Sequence, residues 1–169
     1  ADVDAANARF TAELGQPPAL FAYPYGETSL DVITVVREAG FAAAFGQHSG
    51  VATGSDDPYY LPRFAMNENY GDPARFRLAI NALPLVVADL IPADPMIGAN
   101  NPPLVGFTIE APVAGLNRLA CYASHEGTAR LERLGDRRVE VRFKTPFPKG
   151  RTRLNCTLPT AEAGRWYWF

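Results

Sequence analysis

The first half of the chain alternates between helical periodicity and short apolar runs. Apolar residues at helical spacing predict a helix over 2–14, a second helix that follows the run at 21–23, and a third that Asp72 caps. Apolar runs bounded by turn residues predict buried strands at 21–23, 41–45 and 61–66. Such alternation of strands and helices is typical of a parallel α/β unit.

A Pro-Tyr-Gly turn separates the first of these strands from its helix. Proline cannot donate to a strand ladder and glycine allows a sharp turn, so the strand ends at Pro24–Gly26. Thr28 is the predicted helix N-cap, and Gly40 follows the last helical residue. The turn therefore lies at the carboxyl end of a strand, where α/β folds place their chemistry.

The period of the pattern changes to two in the second half. Apolar and polar residues alternate over 105–109, 119–123, 139–143 and 154–158, which predicts half-buried antiparallel strands. Short strands joined by polar turns favour a β-sandwich over 104–169. The ending Trp-Tyr-Trp-Phe resembles the approach to a late strand of immunoglobulin-like domains.

Prolines interrupt the pattern between these two halves. They predict a linker over 83–103, with an α/β domain over 1–82 before it and the sandwich over 104–169 after it. Trp166 and Trp168 fall on one face of the last strand, which indicates core packing, although a carbohydrate-binding platform is the alternative.

Charge and apolar run length restrict the partners of the chain. Its 169 residues carry a formal net charge of -2 at pH 7, which argues against nucleic acid. No apolar run approaches the ~20 residues of a membrane helix, so no membrane span is expected. The opening Asp2-Val3-Asp4 is not a signal peptide, and we expect a mature or truncated chain.

The two cysteines, Cys121 and Cys156, fall on the inward faces of their predicted strands. They are either two buried thiols or a disulfide between neighbouring strands. A disulfide implies an oxidising compartment, so the chain would be periplasmic or secreted, whereas unpaired thiols are compatible with the cytoplasm.

The Pro-Tyr-Gly turn also carries a family resemblance. Phe21 to Gly26 reads Phe-Ala-Tyr-Pro-Tyr-Gly, and the next helix ends in Glu-Ala-Gly-Phe at 38–41. This stretch resembles the third motif of the polysaccharide deacetylases, the NodB-homology family, and Leu-Pro-Arg-Phe at 61–64 is similar to a segment near the end of that domain. The resemblance covers about the first half of the chain.

The resemblance implies a fold class. It is an α/β partial (β/α) barrel of the NodB-homology type over 1–82, followed by an all-β immunoglobulin-like sandwich. A few parallel strands cannot bury both of their faces alone, so the first part also needs cover from elsewhere. The expected partner is the N-terminal half of the same gene product.

The resemblance also implies a cofactor. The family binds a divalent metal through an Asp-Asp motif and a His-x-x-x-His motif, and neither precedes the turn in this chain. The adjacent aspartates Asp56 and Asp57 follow the turn, and His48 and His125 lie far apart. A divalent metal, zinc being the expected ion, would therefore be held by residues outside this chain, and none by the chain alone.

Three residues are candidates for catalysis. By resemblance, the backbone N–H of Tyr25 would bind the oxyanion that forms when water attacks an acetyl carbonyl. His48 follows a buried strand and would act as a general acid toward the leaving amine or alcohol. Arg63 would pair with a carboxylate of the missing half or contact a sugar; a structural salt bridge is the alternative.

Tyr23, Tyr59 and Tyr60 are candidates for binding substrate, because flat aromatic faces suit sugar rings. Together, these features predict the C-terminal part of a metal-dependent polysaccharide deacetylase that hydrolyses acetyl groups from a carbohydrate polymer. The alternative is a β-sandwich module that binds carbohydrate or protein on a catalytically inactive support. A structural piece of the cell envelope is a third interpretation.

Overall fold

The computed structural model describes residues 2–169, which contain three helices. They are α1 (Asp2–Leu14), α2 (Leu30–Glu38) and α3 (Pro73–Ile80), so all three helices predicted from the apolar periodicity are confirmed. Asp72 caps α3 as expected, since its carboxylate accepts two backbone N–H groups at 3.0 Å. The cap of α2 is Ser29 rather than Thr28, because the Ser29 hydroxyl accepts the Val32 N–H at 3.3 Å.

The first part of the chain forms one parallel pair of strands. β1 (Leu20–Ala22) and β2 (Ala43–Phe45) pair in parallel, with Phe21 opposite Ala44. The strand predicted at 61–66 is reduced to a single parallel bridge between Leu61 and Phe45. Helix α2 connects the two strands, so the turn after β1 and the loop after β2 lie at the same end of the pair.

A small apolar cluster supports this pair. Its buried members come from β2, from the residues next to the two strands and from one side of α2: Tyr23, Ile33, Val36, Phe41 and Ala44. Three further apolar residues of α2, Leu30, Val32 and Val35, remain exposed by 42–52%. The cluster therefore covers one side of the helix and leaves apolar side chains at its edges open.

The remaining strands form two sheets, one of four strands and one of five. In chain order they are β3 (Leu83–Pro84), β4 (Val87–Ile91), β5 (Val105–Ile109), β6 (Ala120–Ala123), β7 (Gly127–Thr128), β8 (Arg130–Leu134), β9 (Arg138–Arg142), β10 (Leu154–Pro159) and β11 (Trp166–Trp168). The orders across the sheets are β4-β5-β9-β8 and β3-β11-β10-β6-β7. Neighbouring strands are antiparallel except β3 and β11.

The larger core lies between these two sheets. Phe107 and Val139 of the four-stranded sheet and Cys156 and Leu158 of the five-stranded sheet have no exposed surface. They belong to one contiguous buried cluster, so the inward residues of the period-two pattern meet across the sheets. This arrangement fits a β-sandwich.

Cys121 and Cys156 form a disulfide. They lie directly opposite each other in the register of β6 and β10, and both are fully buried. Of the two alternatives that the sequence left open, the structure therefore contains the bonded pair, within one sheet and at the centre of the core.

The fold-class prediction is wrong. Among residues 2–169 no barrel closes, because 1–82 contributes only two paired strands and one bridge, while most regular structure is β. The residues after β2 hold Gly, Ser, Asp and Pro at a density that favours turns, and no further strand joins the parallel pair there. The chain is mostly β, and the α/β barrel is withdrawn.

The predicted linker at 83–103 begins with regular structure. β3 joins the five-stranded sheet and β4 the four-stranded sheet, so this segment reaches both layers. Phe64 packs edge-on against Trp168 at 5.2 Å between ring centroids, which joins the first part of the chain to the sandwich. No helix within residues 2–169 has the length and apolar character needed to cross a bilayer.

Candidate functional site

A cleft of about 560 Å³ lies where the carboxyl ends of β1 and β2 face the sandwich. One wall includes Tyr25 and Gly26 of the turn and Gln47 and His48 of the loop after β2, and the other is the segment 150–154, which leads into β10. Tyr25, His48 and Tyr60, which the sequence predicted as functional, all line this cleft.

Tyr25 adopts a left-handed backbone conformation, with φ 57° and ψ 6°. This conformation is disfavoured for a residue with a Cβ atom, so the surrounding bonds must hold it. Gly26 N–H donates to Tyr23 O at 2.8 Å and Glu27 N–H to Pro24 O at 3.1 Å. Neither bond uses the Tyr25 N–H, and 75% of the Tyr25 surface is exposed.

Two glycines allow the turn and the loop to approach each other. Gly26 has φ +73°, and a Cβ there would lie 2.5 Å from the backbone nitrogen of Gln47. A Cβ at Gly46 would lie 2.6 Å from Nδ1 of His48 and 2.9 Å from the ring of Tyr60. All three distances are shorter than van der Waals contact, so a side chain at either position would force its neighbours to move.

The His48 ring packs on Tyr60, with 4.5 Å between ring centroids. Burial lowers the pKa of His48 below its ordinary value, and the charge of Asp56 opposes this shift only in part. The imidazole is therefore neutral at pH 7. Its Nδ1 is buried and has no hydrogen-bond partner among the described residues. A neutral imidazole can accept or relay a proton, whereas the predicted acid role needs the protonated form.

Arg63 holds the loop that carries His48. Its backbone N–H donates to His48 O at 3.0 Å, and its Nε donates to Gly46 O at 2.6 Å. Within residues 2–169 it makes no ion pair with a carboxylate. Arg63 thus acts on His48 through the backbone of the loop.

Arg151 is part of the site although the sequence analysis did not select it. Its Nη1 donates to the carbonyl oxygen of Tyr25 and, at 2.6 Å, to Oε1 of Gln47. These bonds tie the turn after β1 and the loop after β2 to the sandwich. No local pattern could reveal this contact, because Arg151 and Tyr25 are 126 positions apart in sequence.

The three tyrosines predicted to bind sugar occupy different environments. Tyr23 is 2% exposed, its hydroxyl donates to Tyr59 O at 2.7 Å, and burial raises its pKa. Tyr59 lies under the guanidinium of Arg37, at 4.7 Å from the ring centroid. Tyr60 is half-buried and lines the cleft. Substrate binding by these residues stays a prediction, and Tyr60 is the member placed to contact a ligand.

Metal binding stays a prediction. Within residues 2–169 no group of three or more His, Cys, Asp or Glu side chains lies close enough together to hold an ion.

The fold and the site define a disulfide-bonded, β-rich chain with a cleft lined by aromatic and arginine side chains. No family model, no curated protein and no solved structure matches the chain.

Proposed function

We propose that this chain is the C-terminal part of a polysaccharide deacetylase and forms one wall of its acetyl-binding site. The observation that carries the proposal is Tyr25, a non-glycine residue in a left-handed turn at the mouth of a cleft. Strained conformations of this kind persist where surrounding contacts hold them, and they cluster at active sites. The proposal does not depend on a closed barrel.

The chemistry assigns one role to the turn and another to the loop of the same wall of the cleft. Attack of water on the acetyl carbonyl forms a tetrahedral oxyanion, and the N–H of Tyr25 donates to that oxygen. A donor fixed before the reaction contributes about 3 kcal/mol to transition-state stabilisation. Neutral His48 accepts a proton from the attacking water and then donates that proton to the leaving amine or alcohol. Arg63 holds the loop that carries His48, and Arg151 holds the turn that carries Tyr25.

Other parts of the proposal concern components beyond this chain. A divalent metal, with zinc as the expected ion, belongs to residues outside it, and so does the cover of the exposed apolar residues of α2. The N-terminal half of the same gene product is the proposed partner for both. The disulfide supports a periplasmic or secreted location, because such bonds persist in oxidising compartments.

The test measures acetate released from acetylated chito-oligomers and from an acetylated oligouronate by the complete gene product with added zinc. We expect release by the complete product, none by this chain alone, and a loss of about 10²-fold in kcat for His48→Gln. His125→Gln, at the other histidine of the chain, is the matched control and should retain kcat. Absence of acetate from the unmutated complete product would overturn the proposal.

A second candidate is a carbohydrate-binding module without catalysis. The exposed ring of Tyr25 and the cleft-lining ring of Tyr60 favour it, since both offer aromatic surface for sugar rings. Binding of oligosaccharide by this chain, with no hydrolysis by the complete product, would select this candidate over the deacetylase.

A further inference from the structure

Two arginines, separated by one residue, lie on the sandwich wall of the cleft. Arg151 and Arg153 are exposed, while Thr152 between them has a buried Oγ1. Both arginines line the cleft, together with Tyr25 from the opposite wall.

Neither arginine is neutralised by a carboxylate of the described residues. Arg151 bonds to two uncharged oxygens, of Tyr25 and Gln47, and Arg153 makes no ion pair. Arg142, on the outer face of the four-stranded sheet, shows the contrast, because it pairs with two glutamates. Among the lining residues within 2–169, Glu27 is the one acid. The charged side chains that line the cleft are therefore two arginines and one glutamate, in a chain whose net charge is -2.

The segment that carries the arginines is fixed at its start. Asn101 pairs with the backbone of Phe147 through both its amide atoms, at 2.7 and 2.9 Å. Glu126 accepts the N–H groups of Lys144 and Thr145 at 2.9 and 3.2 Å. These bonds fix the start of the segment, and the bonds of Arg151 hold its guanidinium before any ligand arrives. A preorganised cation loses less entropy on binding.

We propose that this cleft binds the carboxylate group of an acidic saccharide, which deepens the proposed function by naming its substrate class and rests on it. Arg151 uses Nη1 for its two protein acceptors, so Nε–H and the Nη2 protons remain for a ligand. A guanidinium edge matches a planar carboxylate with two parallel hydrogen bonds. Arg153 adds a second cation, and the exposed ring of Tyr25 packs on the C–H face of the sugar.

The test titrates this chain with three tetrasaccharides by calorimetry: an oligouronate, a sulfated oligomer and neutral chitotetraose. The oligouronate should bind at least about tenfold more tightly than chitotetraose, and this preference should shrink as salt rises, because exposed charges are screened. Equal binding of the neutral oligomer would overturn the proposal. Tighter binding of the sulfated oligomer would overturn the carboxylate assignment.

Variants separate the arginines from general surface charge. Arg153→Gln leaves every hydrogen bond of the turn in place and should weaken oligouronate binding about three- to tenfold without changing chitotetraose binding. Arg151→Lys keeps the charge but loses the paired geometry, and we expect a larger loss. The control for general surface charge is Arg133→Gln, at an exposed residue of β8 outside the cleft. An equal loss in the control, or none in Arg153→Gln, would contradict the proposal.

Failure of the acidic-ligand proposal and failure of the deacetylase proposal give different experimental results. Acetate release by the complete gene product tests the deacetylase, whereas calorimetry on this chain tests only the acidic ligand. Binding without acetate release keeps the acidic-ligand site and removes the reaction. Acetate release from neutral oligomers with no oligouronate preference does the reverse.

Discussion

At the scale of single residues, the site depends on two positions that lack a side chain. Gly26 lets the Tyr25 turn touch Gln47, and Gly46 lets the His48 ring fold back over the backbone. The Pro-Tyr-Gly context identifies the turn glycine from sequence alone. The role of Gly46 has no sequence signal, because it comes from the position of His48 in three dimensions.

Replacing Gly46 with alanine should displace the His48 ring. The added Cβ would lie 2.6 Å from Nδ1, and overpacking of this kind costs about 1–3 kcal/mol. Urea unfolding measures the loss, and the NMR signals of the imidazole report the displacement. Gly54→Ala is the matched control, since a Cβ there meets nothing within 4 Å. Equal stability of the two variants would contradict the packing described at Gly46.

His48 should make stability depend on pH. Because burial lowers its pKa in the folded chain, the unfolded chain binds the proton first as the pH falls below about 6.5. The free energy of unfolding should therefore fall between pH 6.5 and the lower folded pKa, and be unaffected by this group above pH 6.5. His48→Gln should flatten that part of the profile. A profile unchanged by the substitution would show that His48 is not desolvated.

At the scale of elements, the period of the apolar pattern was the most informative signal. It located the three helices and the strands around Phe107, Cys121, Val139 and Cys156, since burial on one face imposes the repeat directly. It failed for the strand at 61–66, because a short apolar run does not reveal whether a neighbouring strand is available to pair with it. Only Leu61 finds a partner.

The disulfide between β6 and β10 should contribute substantially to stability. It closes a loop of 35 residues, for which the chain-entropy relation gives about 4 kcal/mol. The double variant Cys121→Ala, Cys156→Ala should unfold at correspondingly lower urea concentration than the oxidised chain. Reduction of the unmutated chain under unfolding conditions, followed by alkylation, provides the second measurement. A loss below about 1 kcal/mol in both would mean that the bond adds little to the constraint already imposed by the sheet.

At the scale of the whole molecule, contacts between the first part and the sandwich hold the cleft together. Phe64 meets Trp168, Arg165 Nε donates to Asn81 O at 3.1 Å, and Arg151 reaches Tyr25. None of these contacts follows from local sequence, because each joins segments far apart in the chain. For the same reason, the sequence supported two separate domains but not the cleft between them.

Phe64→Ala should weaken this junction. The loss of the edge-on ring contact and of part of the buried area should cost about 1–2 kcal/mol. Tryptophan fluorescence during thermal unfolding measures it, since Trp168 is the partner ring. Phe76→Ala is the control, because Phe76 is 51% exposed and should change stability little. A larger effect in the control than in Phe64→Ala would contradict the junction.

The error in fold class also belongs to this scale. Strand–helix alternation identified a parallel pair correctly, but two short strands carry no information about how many others follow. Extending that pair to a barrel relied on the family resemblance of one turn and one later segment. The sandwich pattern needed no such extension, because four alternating segments of this chain already supply both faces of its core.

The bond from Arg151 to the Tyr25 carbonyl has a consequence for protein engineering. A chimera that joins residues 1–82 to a foreign sandwich would keep the Pro-Tyr-Gly sequence but lose the guanidinium that restrains it. Shortening or lengthening the connection between β9 and β10 would have the same effect. Segment swaps should therefore transplant the turn and this connection as one unit, although 126 positions separate their anchoring residues.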